Sequence, residues 1–240
     1  SGCDTLITVI ITAPPAFDVQ GTVTDVTCAN TCDGGIGIGV SGGSPGYTYA
    51  WSPQPPVGQG TGTISGLCSG AWRVTVTDVA GCDTTLTFMV NAPPPLTAQL
   101  SNMDVSCAGA CDGEAVLTVS GGTPGYTFLW NPAPAGGQGS PNVNGLCAGA
   151  YSVLVRDVNG CDTTLTFTIN EPLPLTATPG HTNVTCGSLC DGTASVVVSG
   201  GRLGDIYAWR AEPGGGQGTP DAMGFCAGPV SVVVTDANGC

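Results

Sequence analysis

Thirteen cysteines are the residues of this chain that are best suited to covalent chemistry. They occur at positions 3, 28, 32, 68, 82, 107, 111, 147, 161, 186, 190, 226 and 240. Positions 28, 107 and 186 are 79 residues apart, and the same interval relates 32, 111 and 190, then 68, 147 and 226, and finally 3, 82, 161 and 240. This spacing predicts three copies of one unit with four cysteines each, and makes Cys3 the last cysteine of a preceding unit.

Aspartates form a second set that follows the same interval. Asp33 and Asp112 each follow a cysteine, whereas Asp157 and Asp162 flank a turn. Asp before Gly forms turns by bonding to its own backbone, which is the interpretation that we favour for this set. Carboxylates that meet backbone carbonyls between units could also hold Ca²⁺, because this cation takes oxygen ligands. The same four aspartates are therefore candidate calcium ligands, and we expect no other cofactor.

Composition argues against several kinds of partner and activity. The formal net charge is -13 with only 4 Lys+Arg, so a basic surface for nucleic acid or anionic membranes is not expected. No apolar run approaches the roughly 18 residues that a membrane span needs, so no membrane insertion is expected in this segment. His181 is the sole histidine, and Asn102 and Val23 take its place in the other units. With no nucleophile elbow or phosphate loop either, we expect no enzyme and no catalytic residue.

Hydrophobic residues alternate with small or polar ones, which indicates half-buried antiparallel strands. Examples are Ile36, Ile38 and Val40, then Trp72, Val74 and Val76, and then Leu86, Phe88 and Val90. Gly- and Pro-rich turns separate six or seven such strands in each unit, and Tyr47, Tyr49 and Trp51 alternate on the third strand. We predict an all-β chain of tandem immunoglobulin-like β-sandwich modules with a 79-residue repeat. These aromatic side chains are then core residues and not a platform for sugars.

The immunoglobulin-like topology predicts which cysteines pair. The loops that carry the second and third cysteines of a unit lie at one pole, so we expect Cys32–Cys68, Cys111–Cys147 and Cys190–Cys226. Two schemes remain open for the other cysteines. Either neighbouring units are joined by Cys28–Cys161 and Cys107–Cys240, or each unit closes on itself through Cys28–Cys82, Cys107–Cys161 and Cys186–Cys240. The widths between cysteines do not suit a zinc knuckle.

Pro-rich steps at 13–16, 92–96 and 171–175 predict the boundaries between units. We assign residues 1–15 to the last strand of a preceding module, and residues 16–94, 95–173 and 174–240 to a first, second and third repeat. In residues 4–13, Ile7, Val9 and Ile11 take the places of Leu86, Phe88 and Val90, and the third repeat lacks this final strand. We expect a window of a longer chain. The alternative is that residues 4–13 of one chain complete the open sandwich of another.

The segments "CDGEAVLTVSGGTPGYTFLWNP", "GLCAGAYSVLVRDVNGC" and "VSVVVTDANGC" resemble the SprB repeat of large surface proteins in gliding and other Bacteroidota. The third repeat departs from the pattern at "GGRLGDIYAW". The resemblance implies a cell-surface adhesin or filament that is exported by type 9 secretion. In such proteins "DTL" at 4–6 and "DTT" at 83–85 and 162–164 match a short O-glycosylation pattern, which makes Thr5, Thr84 and Thr163 candidate sites.

Together these features predict a structural repeat segment of an extracellular stalk or filament, part of a cell-surface adhesin with a role in gliding motility or cell adhesion. Its partners are then the neighbouring repeats. The alternatives are a module that binds surface glycans and a subunit of a fibre built by strand exchange.

Overall fold

A computed structural model describes residues 2–12 and 15–240, and its regular elements are all β-strands. The first repeat has β1 (Asp18–Thr24), β2 (Gly34–Ser41), β3 (Thr48–Ser52), β4 (Thr63–Leu67), β5 (Gly70–Thr77) and β6 (Asp83–Val90). The second has β7 (Thr97–Met103), β8 (Gly113–Ser120), β9 (Thr127–Asn131), β10 (Asn142–Leu146), β11 (Gly149–Arg156) and β12 (Asp162–Ile169). The third has β13 (Thr176–Thr182), β14 (Gly192–Ser199), β15 (Ile206–Arg210), β16 (Asp221–Phe225) and β17 (Ser231–Thr235). The prediction of an all-β chain is confirmed.

Each repeat divides its strands between two small sheets. In the first repeat the strand orders are β1-β2-β4 and β3-β5-β6, and the second repeat has β7-β8-β10 and β9-β11-β12. The third repeat has β13-β14-β16 and a sheet of only two strands, β15-β17. These orders correspond to strands A-B-E and C-F-G of an immunoglobulin-type sandwich.

The core of the first repeat takes side chains from both of its sheets. Ile36 of β2 and Ile64 of β4 meet Trp51 of β3 and Val74 and Val76 of β5, and none of these side chains is more than 4% exposed. The indole Nε1–H of the same tryptophan donates to the carbonyl of Thr61 at 2.9 Å. Large side chains of this kind contribute roughly 1.5–3 kcal/mol each when they are fully buried.

The predicted aromatic set of the third strand belongs to this core. Trp51 is buried, and Tyr47 and Tyr49 are half-buried and pack against the core residues. The prediction that these rings are core and not an exposed platform is therefore confirmed.

The turn that follows each second strand requires glycine. Gly121 has φ +73°, and a Cβ at this position would lie 1.9 Å from the carbonyl oxygen of Pro95. Gly42 and Gly200 meet backbone oxygens in the same way at 1.8 and 1.9 Å. Only a residue without a side chain fits, both because of the left-handed backbone and because of this close approach.

Contacts divide the chain into two compact units. Unit 1 contains the described residues up to Thr97 together with Ser120–Tyr126 and Asp157–Asp162, and unit 2 contains Ala98–Val119, Thr127–Arg156 and Thr163–Cys240. The hairpin at 157–162 groups with the first repeat because it is bonded to it covalently, as described below. Within the described residues, no helix is long and apolar enough to cross a membrane.

Candidate functional site

The hairpin at residues 157–161, Asp-Val-Asn-Gly-Cys, is a preformed loop built around a buried carboxylate. Asp157 is 4% exposed, and its Oδ1 accepts the backbone N–H groups of Asn159 and Cys161, both at 2.9 Å. Its Oδ2 accepts the N–H of Thr123 at 2.8 Å. The pKa of Asp157 lies below its usual range because of these bonds, that from Thr123 above all. The ionised carboxylate therefore holds the loop in one conformation.

A second loop, between β1 and β2, carries the facing cysteine. Oδ1 of Asp33 accepts the backbone N–H of Thr27 at 3.0 Å and the hydroxyl of Thr31 at 2.8 Å. The hydroxyl of Thr27 donates to the other carboxylate oxygen, and this bond lowers the pKa of Asp33 most. The backbone N–H of Thr31 donates to the carbonyl of Cys28 at 3.1 Å, which closes a turn around the cysteine.

The two loops are joined by a disulfide between Cys28 and Cys161, with the Cα atoms 5.7 Å apart. The Asn159 side-chain amide adds a hydrogen bond to the carbonyl of Thr27 at 3.3 Å. All of these residues lie in unit 1. We call this combination of a disulfide and an asparagine amide the junction clamp, the hairpin its plug and the loop with the facing cysteine its socket.

A second junction clamp lies within unit 2 and has the same parts. Cys107 and Cys240 form a disulfide with their Cα atoms 5.8 Å apart. The Asn238 amide donates to the carbonyl of Ser106 at 2.7 Å. Asp236, 2% exposed, accepts the N–H groups of Asn238 and Cys240, and Arg202 donates its backbone N–H to the same carboxylate at 2.8 Å. The pKa of Asp236 is lowered, with the bond from Arg202 as the main cause.

The remaining cysteines divide into pairs within repeats and free thiols. The disulfides Cys32–Cys68, Cys111–Cys147 and Cys190–Cys226 each join the first loop of a repeat to the loop between its fourth and fifth strands. Cys3, Cys82 and Cys186 are free and exposed. The pairs Cys28–Cys82, Cys107–Cys161 and Cys186–Cys240 of the second predicted scheme are not formed. Cys28 and Cys107 pair with the hairpin cysteine of the following repeat instead.

The candidate calcium ligands are occupied by hydrogen bonds to their own loops. Asp33 and Asp157 bind the groups described above, and Asp112 accepts the backbone N–H of Ser106 at 3.0 Å. Asp162 is the first residue of β12. Among the described residues, no group of three metal-ligating side chains comes together. Calcium binding stays a prediction.

The candidate glycosylation sites differ in exposure. Thr5 is exposed, whereas Thr84 and Thr163 are half-buried on the face of their strands that also carries the apolar residues. Glycosylation at these threonines also stays a prediction.

The asparagine of the junction clamp was missed by the sequence reasoning. Asn159 and Asn238 are 79 residues apart, between a repeated Asp and a repeated Gly-Cys, and this interval is a signal that could have identified them. The corresponding residue of the first repeat is Ala80, so the plug of that repeat lacks the amide.

Comparisons with known families agree with the resemblance seen in the sequence. The family model for the SprB repeat matches residues 20–55 and 101–135, which lie in the first and second repeats. The chain thus carries the SprB repeat at these two segments, and such repeats occur in surface proteins of Bacteroidota. Among curated proteins, none matches this chain.

Solved structures that resemble the chain include two of immunoglobulin-domain proteins. One is the crystal structure of the N-terminal eight Ig domains of Down Syndrome Cell Adhesion Molecule (DSCAM) isoform 1.30.30, with 10% identity and a TM-score of 0.39. The alignment covers 92% of this chain and 44% of that one. The other, described as the structural basis for Dscam isoform specificity, has 10% identity and a TM-score of 0.27, with 90% and 65% covered. The chain therefore spans less than two thirds of either structure.

Proposed function

We propose that this chain is a structural repeat segment of an extracellular stalk or filament, part of a cell-surface adhesin. The observation that carries the proposal is the junction clamp, which occurs twice with the same residue types. Each clamp fastens the last hairpin of one repeat to the first loop of the repeat before it. A module that serves only to bind or to catalyse has no need of a covalent bond to its neighbour, whereas a load-bearing chain does.

The chemistry of the clamp suits mechanical use outside the cell. A disulfide persists where the surroundings are oxidising, and it does not separate when the two repeats fluctuate. Both loops are held by their own carboxylates, so little further ordering is needed when the bond forms. The immunoglobulin-like module with its 79-residue repeat, the cell-surface location, export by type 9 secretion and a role in gliding or adhesion belong to the same proposal. The SprB repeat supports them.

Surface labelling tests the proposal directly. Antibodies against this segment should label intact, non-permeabilised cells that produce the protein, and electron microscopy should place the label on extended surface structures. The matched control is a cytoplasmic protein of the same cells, which should label only after permeabilisation. Label confined to permeabilised cells would contradict the proposal.

A second candidate function is the binding of surface glycans, which one groove of the second repeat favours. The rings of Tyr151 and Phe167 stack with centroids 5.6 Å apart and are half-buried. They line an open groove of about 510 Å³ together with polar side chains such as Asn131 and Ser152. A flat aromatic surface with hydrogen-bonding neighbours is suited to sugar rings. Among the described residues this groove, and not the buried Trp51 set, is the candidate glycan site.

Glycan binding is tested with an array of surface polysaccharides and the purified segment. If the groove binds, Tyr151→Ala should abolish the signal and Tyr49→Phe, a change in the core of another repeat, should retain it. An array without signal for the unmodified segment would remove this candidate and leave the structural proposal unaffected.

A further inference from the structure

The third repeat has an open groove where the other repeats hold their sixth strand. The groove has a volume of about 760 Å³ and is lined by Pro179, His181, Val184, Trp209, Phe225 and Val232, among others. In the first repeat Val74 and Val76 are 0% exposed, whereas their counterparts Val232 and Val234 are only half-buried. The apolar floor of the third repeat is thus incompletely covered.

The edge of the same groove offers unused backbone groups. In the first repeat β5 pairs with β3 on one side and with β6 on the other. In the third repeat β17 pairs only with β15. A sheet edge of this kind has a row of N–H and C=O groups that can accept another strand.

A strand that fits this edge lies in the same chain. Residues 4–12, Asp-Thr-Leu-Ile-Thr-Val-Ile-Ile-Thr, form no strand, and their apolar side chains are strongly exposed. Ile7 is 79% exposed, Val9 76% and Ile11 94%. Their counterparts in β6 are Leu86, Phe88 and Val90, of which the first two pack against the core and the last is 1% exposed. The inward-facing positions of the free segment are therefore all apolar and uncovered.

We infer that residues 4–12 of a second copy of this chain fill the groove of the third repeat as an added strand beside β17. The register follows from β5 and β6, where Val74 lies opposite Leu86 and Gly70 opposite Val90. Transferred to the third repeat, this register sets Ile7 opposite Val232 and Ile11 opposite Gly228. The inference rests on the proposed structural function and specifies one way in which copies of the segment join.

The free thiols support the same joint independently. Cys186 lies in a loop built like the two sockets, since Asp191 accepts the backbone N–H of Thr185 at 3.0 Å and Leu189 donates its N–H to the Cys186 carbonyl at 2.9 Å. Cys82 lies in a hairpin built like the two plugs, since Oδ1 of the buried Asp78 accepts its N–H at 2.8 Å. In both clamps the corresponding cysteines are bonded.

Chain lengths show that these two thiols are the matching halves. In each clamp the bonded cysteines are 133 residues apart. Strand donation makes the donor's Cys3 equivalent to the acceptor's Cys240. From the acceptor's Cys186 to its Cys240 there are 54 residues, and from the donor's Cys3 to its Cys82 there are 79, which together restore the interval of 133. The donated strand therefore brings Cys82 of one copy to Cys186 of the other, where they form a third junction clamp.

Closing this clamp requires an external oxidant. The two thiols lose two protons and two electrons, which reduce a small-molecule disulfide such as oxidised glutathione to two thiols, and one sulfur–sulfur bond forms between the copies. Because the plug of the first repeat has Ala80 in place of the asparagine, this clamp lacks the amide bond that the other two have.

The test uses the 240-residue chain with Cys3→Ser, so that the terminal thiol does not compete. Sedimentation across a concentration series should show head-to-tail oligomers. With oxidised glutathione these should appear as a ladder on a non-reducing gel, and mass spectrometry should find Cys82 linked to Cys186. Cys82→Ser should remove the ladder and leave the sedimentation unchanged.

A matched pair of variants tests the strand itself. Ile11→Asp introduces a carboxylate at a position that becomes buried, so the association should weaken on the order of 100-fold. Ile10→Asp makes the same change at the next residue, whose counterpart Met89 is 56% exposed. This control should associate within about threefold of the parent chain.

Three results would overturn the inference: a chain that stays monomeric at all concentrations, equal weakening by both variants, or a ladder whose main linkage is not Cys82 to Cys186. A monomeric chain that still labels the cell surface would leave the proposed function standing. Loss of surface labelling would remove the proposed function whatever the sedimentation result.

Discussion

Removal of one junction clamp is expected to cost about 4 kcal/mol of stability. A disulfide acts mainly on the unfolded chain, and the effect grows with the length of the loop that it closes. Cys28 and Cys161 are 133 residues apart, which alone corresponds to about 5 kcal/mol. The disulfides Cys32–Cys68 and Cys111–Cys147 shorten this loop to about 61 residues, counted from 28 to 32, from 68 to 111 and from 147 to 161. A loop of that length corresponds to about 4 kcal/mol.

Calorimetry of the double variant Cys28→Ser with Cys161→Ser measures this effect. For a chain of this size a loss of about 4 kcal/mol lowers the midpoint of unfolding by roughly 8–16 °C. The control is Cys82→Ser with Cys186→Ser, which also removes two sulfur atoms but no disulfide within the chain. The control should unfold like the parent. An unchanged midpoint in the first variant, or an equal decrease in both, would refute the reasoning that the clamp stabilises the folded repeats.

Three further predictions concern the repeats themselves. Leu67→Ala, at a side chain that is 0% exposed, should lower the free energy of unfolding in denaturant by about 2–5 kcal/mol, whereas Leu203→Ala, at 93% exposure, should change it by less than about 0.5 kcal/mol. Gly121→Ala should lower the thermal midpoint more than Gly139→Ala, because both have positive φ but only the first would bring a Cβ against a backbone oxygen. Stability should fall on acidification below about pH 4, because the lowered pKa of Asp157 means that its contribution is complete above the ordinary carboxyl pKa and is lost as the pH falls through the folded value. Asp157→Asn should make this pH dependence shallower when unfolding is followed at pH 2–6.

Contradicting outcomes are equally definite. Equal losses for the two leucine variants would mean that the core is not where the structure has it, and equal midpoints for the two glycine variants would remove the steric argument. A pH dependence that Asp157→Asn leaves unchanged would assign acid sensitivity to other carboxylates.

The strands and their inward faces could be predicted from the sequence because they depend on a local period. Val74 and Val76 alternate with polar residues, and both are fully buried. Trp51 was expected in the core for the same reason, and the structure buries it. A side chain's face follows from its position in the strand alone, so no knowledge of distant residues is needed.

The candidate site was predictable only in part. The sequence identified the cysteines and left two schemes for Cys28, because the choice depends on which loops meet in space. The amide of Asn159 could not be assigned a role from the sequence, since its acceptor is a backbone carbonyl 132 residues away. Backbone carbonyls are present at every residue and give no signal in a sequence.

By itself, the sequence determined that this chain is a series of small all-β repeats marked by cysteines at a constant interval. Periodic burial and turn chemistry are local properties, and copies of one unit fold in the same way. Only the tertiary structure decided that Cys28 and Cys107 each bond to the following repeat, and that Cys82 and Cys186 are left free. That decision depends on the distance between loops that are more than a hundred residues apart, and a disulfide forms only where folding brings two sulfur atoms together.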